Sequence, residues 1–110
     1  DLTVVRAPGA FELPLLARSL AQTQRYDAIV ALGCVIRGAT AHFDFVAGEA
    51  ARGIARAAYD TGVPVSFGVL TTENFEQALQ RARPEEMDKG GEALDAALEM
   101  VLALREIARP

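Results

Sequence analysis

The sequence predicts an α/β domain whose strands run parallel and whose sheet is covered by helices on both faces. Three observations point there. Apolar runs at residues 27–32 and 64–70 alternate with segments whose apolar residues recur every three or four positions. Glycine or proline closes the segments at Pro8-Gly9, Gly33, Gly62 and Pro84. Strands separated by helices, rather than by tight turns, pair in parallel through right-handed crossovers.

Each element has its own reason. Residues 2–5 are a short β-branched run stopped by Pro8-Gly9, and a first strand is expected there. A helix follows from about 11 to 24, with Leu13, Leu16 and Leu20 on one face. Pro14 is tolerated only in its first turn, where a missing N–H costs no helical bond. Residues 27–32 read as a strand buried on both faces, ending at Gly33. A glycine-bounded loop over 33–40 then leads into a helix over 42–60, where Phe43, Val46, Ala47, Ala50, Ile54 and Ala57 keep helical spacing. Gly62 ends it. Residues 64–70 are the next buried strand. Asn74 and Gln77 have the spacing of a capping box for a short helix to about Ala82, which Pro84 breaks. A last helix from about 89 to 107 presents Leu94, Leu98, Val101 and Leu104.

Composition narrows the function classes. Residues 1–110 make one domain with a modest core. The hydrophobic content of 51% is rich in alanine, which suits close helix packing, and no apolar run approaches a membrane span. A formal charge of −4 with a single lysine argues against a nucleic-acid surface. One cysteine makes no internal disulfide, so a reducing cytoplasm is expected, and no signal peptide is evident. Three strands are few for a sheet covered on both faces, and the first run begins in mid-strand without methionine. An N-terminal strand and helix are therefore expected to precede this sequence, and part of the site with them.

In parallel sheets ligands sit beyond the carboxyl ends of the strands. Residues 6–12, 33–40 and 71–74 share that edge. His42, the single histidine, stands at a helix start where free backbone N–H groups favour anions, so acid/base work is favoured over a packing role. Asp44 reads as a solvated first-turn acid rather than a partner of His42. The glycine spacing mimics a phosphate loop, but Ala39-Thr40 stands where Lys-Ser/Thr is required, which excludes a nucleoside triphosphate. The Ala39 and Thr40 amides and the threonine hydroxyl suit one small phosphate. Cys34 reads as a small apolar filler, with a Cys34–His42 nucleophilic dyad as the lesser alternative. One histidine and one cysteine make no metal set. Arg81 ends a helix of about nine residues, which carries it roughly 13 Å from the ligand edge at about 1.5 Å per residue. Any phosphate it served would belong to a neighbouring subunit; otherwise it answers the helix dipole.

Four stretches in order, Ala7-Pro8-Gly9-Ala10-Phe11-Glu12, Gly33-Cys34-Val35-Ile36-Arg37-Gly38-Ala39-Thr40-Ala41-His42-Phe43-Asp44, Gly62-Val63-Pro64-Val65 with Phe67-Gly68-Val69-Leu70-Thr71-Thr72, and Glu76-Gln77-Ala78-Leu79-Gln80-Arg81-Ala82 with Lys89-Gly90, closely resemble the 6,7-dimethyl-8-ribityllumazine synthase family. The resemblance implies a flavodoxin-like three-layer α/β/α fold. It also implies the condensation of 5-amino-6-(D-ribitylamino)uracil with 3,4-dihydroxy-2-butanone 4-phosphate in riboflavin synthesis, with neither metal nor cofactor. Carried across, Ala10, Phe11, Glu12, Cys34, Val35 and Ile36 line the ribityl and pyrimidine site. Ala39 and Thr40 bind phosphate, and His42 transfers protons. Phe67 and Arg81 reach in from the adjacent subunit to stack and to clamp phosphate, and Lys89 approaches the same pocket. The resemblance further implies a homo-oligomer, a pentamer that in some members builds a 60-subunit icosahedral shell.

Against the family pattern, Ala7 replaces valine, Gln80 replaces glutamate, residues 83–88 replace a glycine- and lysine-bearing loop, and the family's first strand with its aromatic residue has no counterpart. The missing first strand and the altered loop support the alternative of a noncatalytic flavin- or lumazine-binding shell protein. An unrelated flavodoxin-like cysteine enzyme is the remoter alternative.

Overall fold

In the computed structural model, which describes residues 2–110, helix and strand alternate. A 3-10 turn at Ala10–Glu12 leads into α1 (Leu13–Gln22), followed by β1 (Ile29–Ile36), α2 (His42–Thr61), β2 (Val65–Thr72), α3 (Phe75–Ala82) and α4 (Lys89–Ala108). β1 and β2 pair in parallel, in register from Ile29 opposite Val65 to Ile36 opposite Thr72. Backbone bonds of 2.8 Å extend the ladder at each end, from Ile29 N–H to the Pro64 carbonyl and from Arg37 N–H to the Thr72 carbonyl. A parallel pair needs a long crossover, and α2 supplies it.

The two faces of the sheet differ. On one, Ala31, Val35, Val65 and Val69 pack with Ile54 of α2, Leu13 of α1 and Ala10. On the other, a Cβ on Gly68 would lie only 3.2 Å from Ala93 Cβ, so α4 rides directly on β2, with α3 beside it. Helices thus cover the strands above and below, as three α/β/α layers. Alanine sets the spacing within the helical layer: Ala17 and Ala21 of α1 and Ala50 and Ala57 of α2 are buried. Gly53 lets α2 approach α1, because a Cβ there would lie 2.6 Å from both Cβ and Cγ of Pro14.

The caps follow the sequence. Pro14 sits in the first turn of α1. Gly62, at φ 75°, ends α2 and donates its N–H to the Ala58 carbonyl at 2.8 Å. Asn74 Oδ1 accepts from Gln77 N–H at 2.8 Å, while Gln77 Oε1 reaches back to accept from Glu73 N–H at 2.8 Å.

Three expectations are corrected. Residues 2–5 form no strand; Leu2, Val4 and Val5 are exposed and have no ladder partner. β propensity acts through cross-strand neighbours, and these residues have none. Among the described residues the sheet therefore has two strands, not three. β1 does not end at Gly33 but runs on through Cys34, Val35 and Ile36, because β2 offers Val69 to Thr72 as partners. Only residues 37–41 are loop. Nor is β1 buried on both faces: Leu32 and Ile36 are 57% and 39% exposed, since α3 and α4 lie mainly over β2.

Gly53→Ala is expected to lower stability by about 1–3 kcal/mol, because the proline ring opposite cannot yield as a flexible side chain would. Gly48, whose Cβ would meet nothing within 4 Å, is the control. Its alanine variant gains up to about 1 kcal/mol of helix propensity. Chemical denaturation midpoints of the two variants distinguish the outcomes.

Candidate functional site

β1 and β2 end side by side, so the segments leaving them share one edge of the sheet. There a cleft of about 250 Å³ brings together Ala10, Cys34, Val35, Ile36, Thr40 and His42. Phe43 and Val46 of α2 close its apolar side. His42 is the first residue of α2 and is exposed. Its backbone N–H donates to Thr40 Oγ1 at 3.3 Å, and Asp44 N–H donates to the Ala41 carbonyl at 3.0 Å. Thr40 thus holds the loop against the helix start, with the imidazole beside it. Phe11, Glu12 and Ala39 do not line this cleft, and Phe11 is exposed.

Cys34 lines the cleft, and partial burial pushes its thiol up from the ordinary cysteine range. Less of it is thiolate at neutral pH, so it is a poor nucleophile there.

A second and larger cleft of about 410 Å³ lies against β2, between Phe67 and the helices α3 and α4. Arg81 and Lys89 give it two cations. Lys89 Nζ is 3.3 Å from Glu92 Oε1, and Arg81 Nη1 donates to Gln77 Oε1 at 3.5 Å. The buried Ser66 Oγ, also at this cleft, has no hydrogen-bond partner. The two clefts share no lining residue. Within one chain, Thr40 and His42 therefore stand apart from Phe67, Arg81 and Lys89.

Sequence pattern alone did not single out Arg37, Glu92 or Ser66. Arg37 makes ion pairs with Glu73 at 3.1 Å and Asp44 at 3.6 Å. Glu73 lies 36 positions away, a pairing that only the parallel register brings about. Glu92 carried a readable signal, since it follows Lys89 by three positions in a helix. Ser66 carried none. Among the described residues, no group of three His, Cys, Asp or Glu side chains is placed to hold a metal, and no helix is long and apolar enough to cross a membrane.

A family model described as 6,7-dimethyl-8-ribityllumazine synthase matches residues 1–105. A 6,7-dimethyl-8-ribityllumazine synthase of Nitratidesulfovibrio vulgaris (strain DP4) is 54% identical over 107 residues, which cover 97% of this chain and 69% of that protein. The enzyme of the same name from Nitratidesulfovibrio vulgaris (strain DSM 19637 / Miyazaki F) is 55% identical over the same shares. That of Syntrophus aciditrophicus (strain SB) is 55% identical over 97% of this chain and 70% of its own length.

The raised thiol pKa has a measurable sign. Alkylation of Cys34 is expected to be slower at neutral pH than that of an unburied thiol and to speed up as pH rises. Cys34→Ala is expected to keep most of the turnover. Loss of turnover on alanine substitution would restore the nucleophilic dyad.

Proposed function

The chain belongs to the 6,7-dimethyl-8-ribityllumazine synthase family, and from that premise we propose that its two clefts are complementary halves of one active site, completed between neighbouring copies. It is a transferase of riboflavin biosynthesis. It condenses 5-amino-6-(D-ribitylamino)uracil with 3,4-dihydroxy-2-butanone 4-phosphate to give 6,7-dimethyl-8-ribityllumazine, phosphate and water. The observation that carries the proposal is the separation of Thr40 and His42 from Phe67, Arg81 and Lys89 into clefts with no lining residue in common.

Each residue type suits its assigned task. Phe67, 46% exposed, offers a free ring face on which a pyrimidine stacks. Ala10, Cys34, Val35 and Ile36 form the wall opposite, and Phe11 and Glu12 adjoin it through the 3-10 turn. Imine formation moves the amine's protons to the departing water. Elimination takes a proton from carbon and releases phosphate, and ring closure moves protons again. His42 is the assigned proton carrier. Arg81 from the neighbouring copy, with the Thr40 hydroxyl and the amides near Ala39, stabilises the phosphate as its charge develops. Lys89 stands at the rim of the same half-site.

A site divided in this way calls for a homo-oligomer, and the family resemblance makes it a pentamer, which in some members builds a 60-subunit shell. The exposed Leu94, Leu98 and Leu102, four residues apart, give α4 an apolar stripe that another copy would cover. The cytoplasm is the assigned compartment, consistent with a single cysteine that forms no internal disulfide.

His42→Ala is expected to slow condensation about 10²–10⁴-fold while light scattering shows the same assembly as the parent. Arg81→Ala is expected to be similarly impaired. When the two inactive variants are unfolded together and reassembled, mixed interfaces pair an intact imidazole with an intact guanidinium. Fluorescent product should then reappear. If co-assembled variants stay as inactive as each alone, the divided site is rejected.

A further inference from the structure

We propose that Arg37 is a positioning residue that ties the first turn of α2, which holds His42, and the loop before it, which holds Thr40, to the turn after β2. The inference rests on the site reading above. The Arg37 backbone is fixed as the last rung of the ladder, its N–H donating to the Thr72 carbonyl at 2.8 Å. Its side chain then crosses the mouth of the loop. Nε donates to Glu73 Oε2 at 3.1 Å, in the turn after β2. Nη2 is 3.6 Å from Asp44 Oδ1, and the guanidinium carbon lies 4.5 Å from the centroid of the Phe43 ring, both in the first turn of α2. Residues 38–41 therefore hang between the Arg37 backbone, fixed to β2, and the first turn of α2, which the Arg37 guanidinium ties to Glu73. His42 sits at the second of them.

Arg37 does not line the cleft. Two carboxylates more than offset its charge, whereas Lys89 faces the single carboxylate of Glu92 and Arg81 the neutral amide of Gln77. Glu73 is itself held, because its backbone N–H donates to Gln77 Oε1 at 2.8 Å. Lysine cannot replace this arginine: a point charge neither forks between two carboxylates nor lies flat on an aromatic ring.

The test uses the assembled protein with Arg37→Met, Arg37→Lys and Glu73→Gln, each checked for assembly and melting. Partly exposed contacts of this kind support an expected rise of roughly three- to tenfold in KM for the phosphorylated substrate, with a fall in kcat. KM for the uracil substrate should stay unchanged, since its wall is built on β1, β2 and the 3-10 turn, outside residues 38–42. Arg37→Lys should not restore the parent values, and Glu73→Gln should move them in the same direction as Arg37→Met. Hydrogen exchange gives a readout independent of turnover: amides of residues 38–42 should exchange faster in Arg37→Met than in the parent. Unchanged exchange and unchanged KM would overturn the proposal. So would a lower KM in Glu73→Gln, which would mean that the freed Arg37 binds phosphate directly. An inactive parent protein would reject the site reading instead, while the exchange comparison would still decide the clamp. If Arg37→Met fails to assemble, Glu73→Gln decides by the same measurements.

Discussion

The eight-pair parallel ladder between β1 and β2 fixes everything that follows in this molecule. Register matters more here than strand count. Because Ile36 stands opposite Thr72, the chain leaves both strands at the same level and on the same edge. The Arg37–Thr72 backbone bond adds one more rung, and from it the loop to α2 and the turn to α3 begin as neighbours. Slipping β2 by one residue against β1 would send Val65 and Val69 to the opposite face of the sheet and remove them from the core around Ile54. Core packing and site placement are thus one constraint.

The same ladder explains why one chain holds two separate clefts. α2 enters from β1 and carries His42 at its start, whereas α3 and α4 follow β2 and lie mainly over it. Groups that chemistry would want together are therefore built on different strands and end in different clefts. In the site proposed above a second copy brings the other half, because the two clefts of one chain share no lining residue. The open faces agree with that logic. Leu32 and Ile36 remain accessible on β1, and apolar positions remain uncovered along α4.

Much of this could be read from the residues. Helix starts and stops carried local signals, namely Pro14, Gly62 and the Asn74–Gln77 pair, and each stands where its stereochemistry requires. The reach of β1 could not be read, because Gly33 looks like a stop in sequence and becomes a strand residue only when Val69 pairs with it and Leu13 approaches to 3.1 Å from where its Cβ would lie. The run at residues 2–5 failed for the converse reason, since its propensity is good but no neighbour engages it. For the site, the segments at 33–42 and 67–81 were visible as motifs. Arg37 was visible only as a letter within one of them, since its function depends on Glu73 across the sheet and on Phe43 in the next turn of chain.

What the clefts contain also indicates where the rate must come from. The thiol beside His42 is held toward its neutral form, so a covalent route gains little from its surroundings. The imidazole lines one cleft and the Arg81 guanidinium the other, the two halves of the proposed site. Neither half alone aligns an amine with a carbonyl or faces a leaving phosphate from two sides. The largest gain open to such a site is the juxtaposition of two substrates in one orientation, with charge stabilisation supplied as phosphate departs. Juxtaposition depends on how firmly each half is held before the halves meet. In the proposed site, the edge registered by the ladder and pinned by Arg37 serves that juxtaposition.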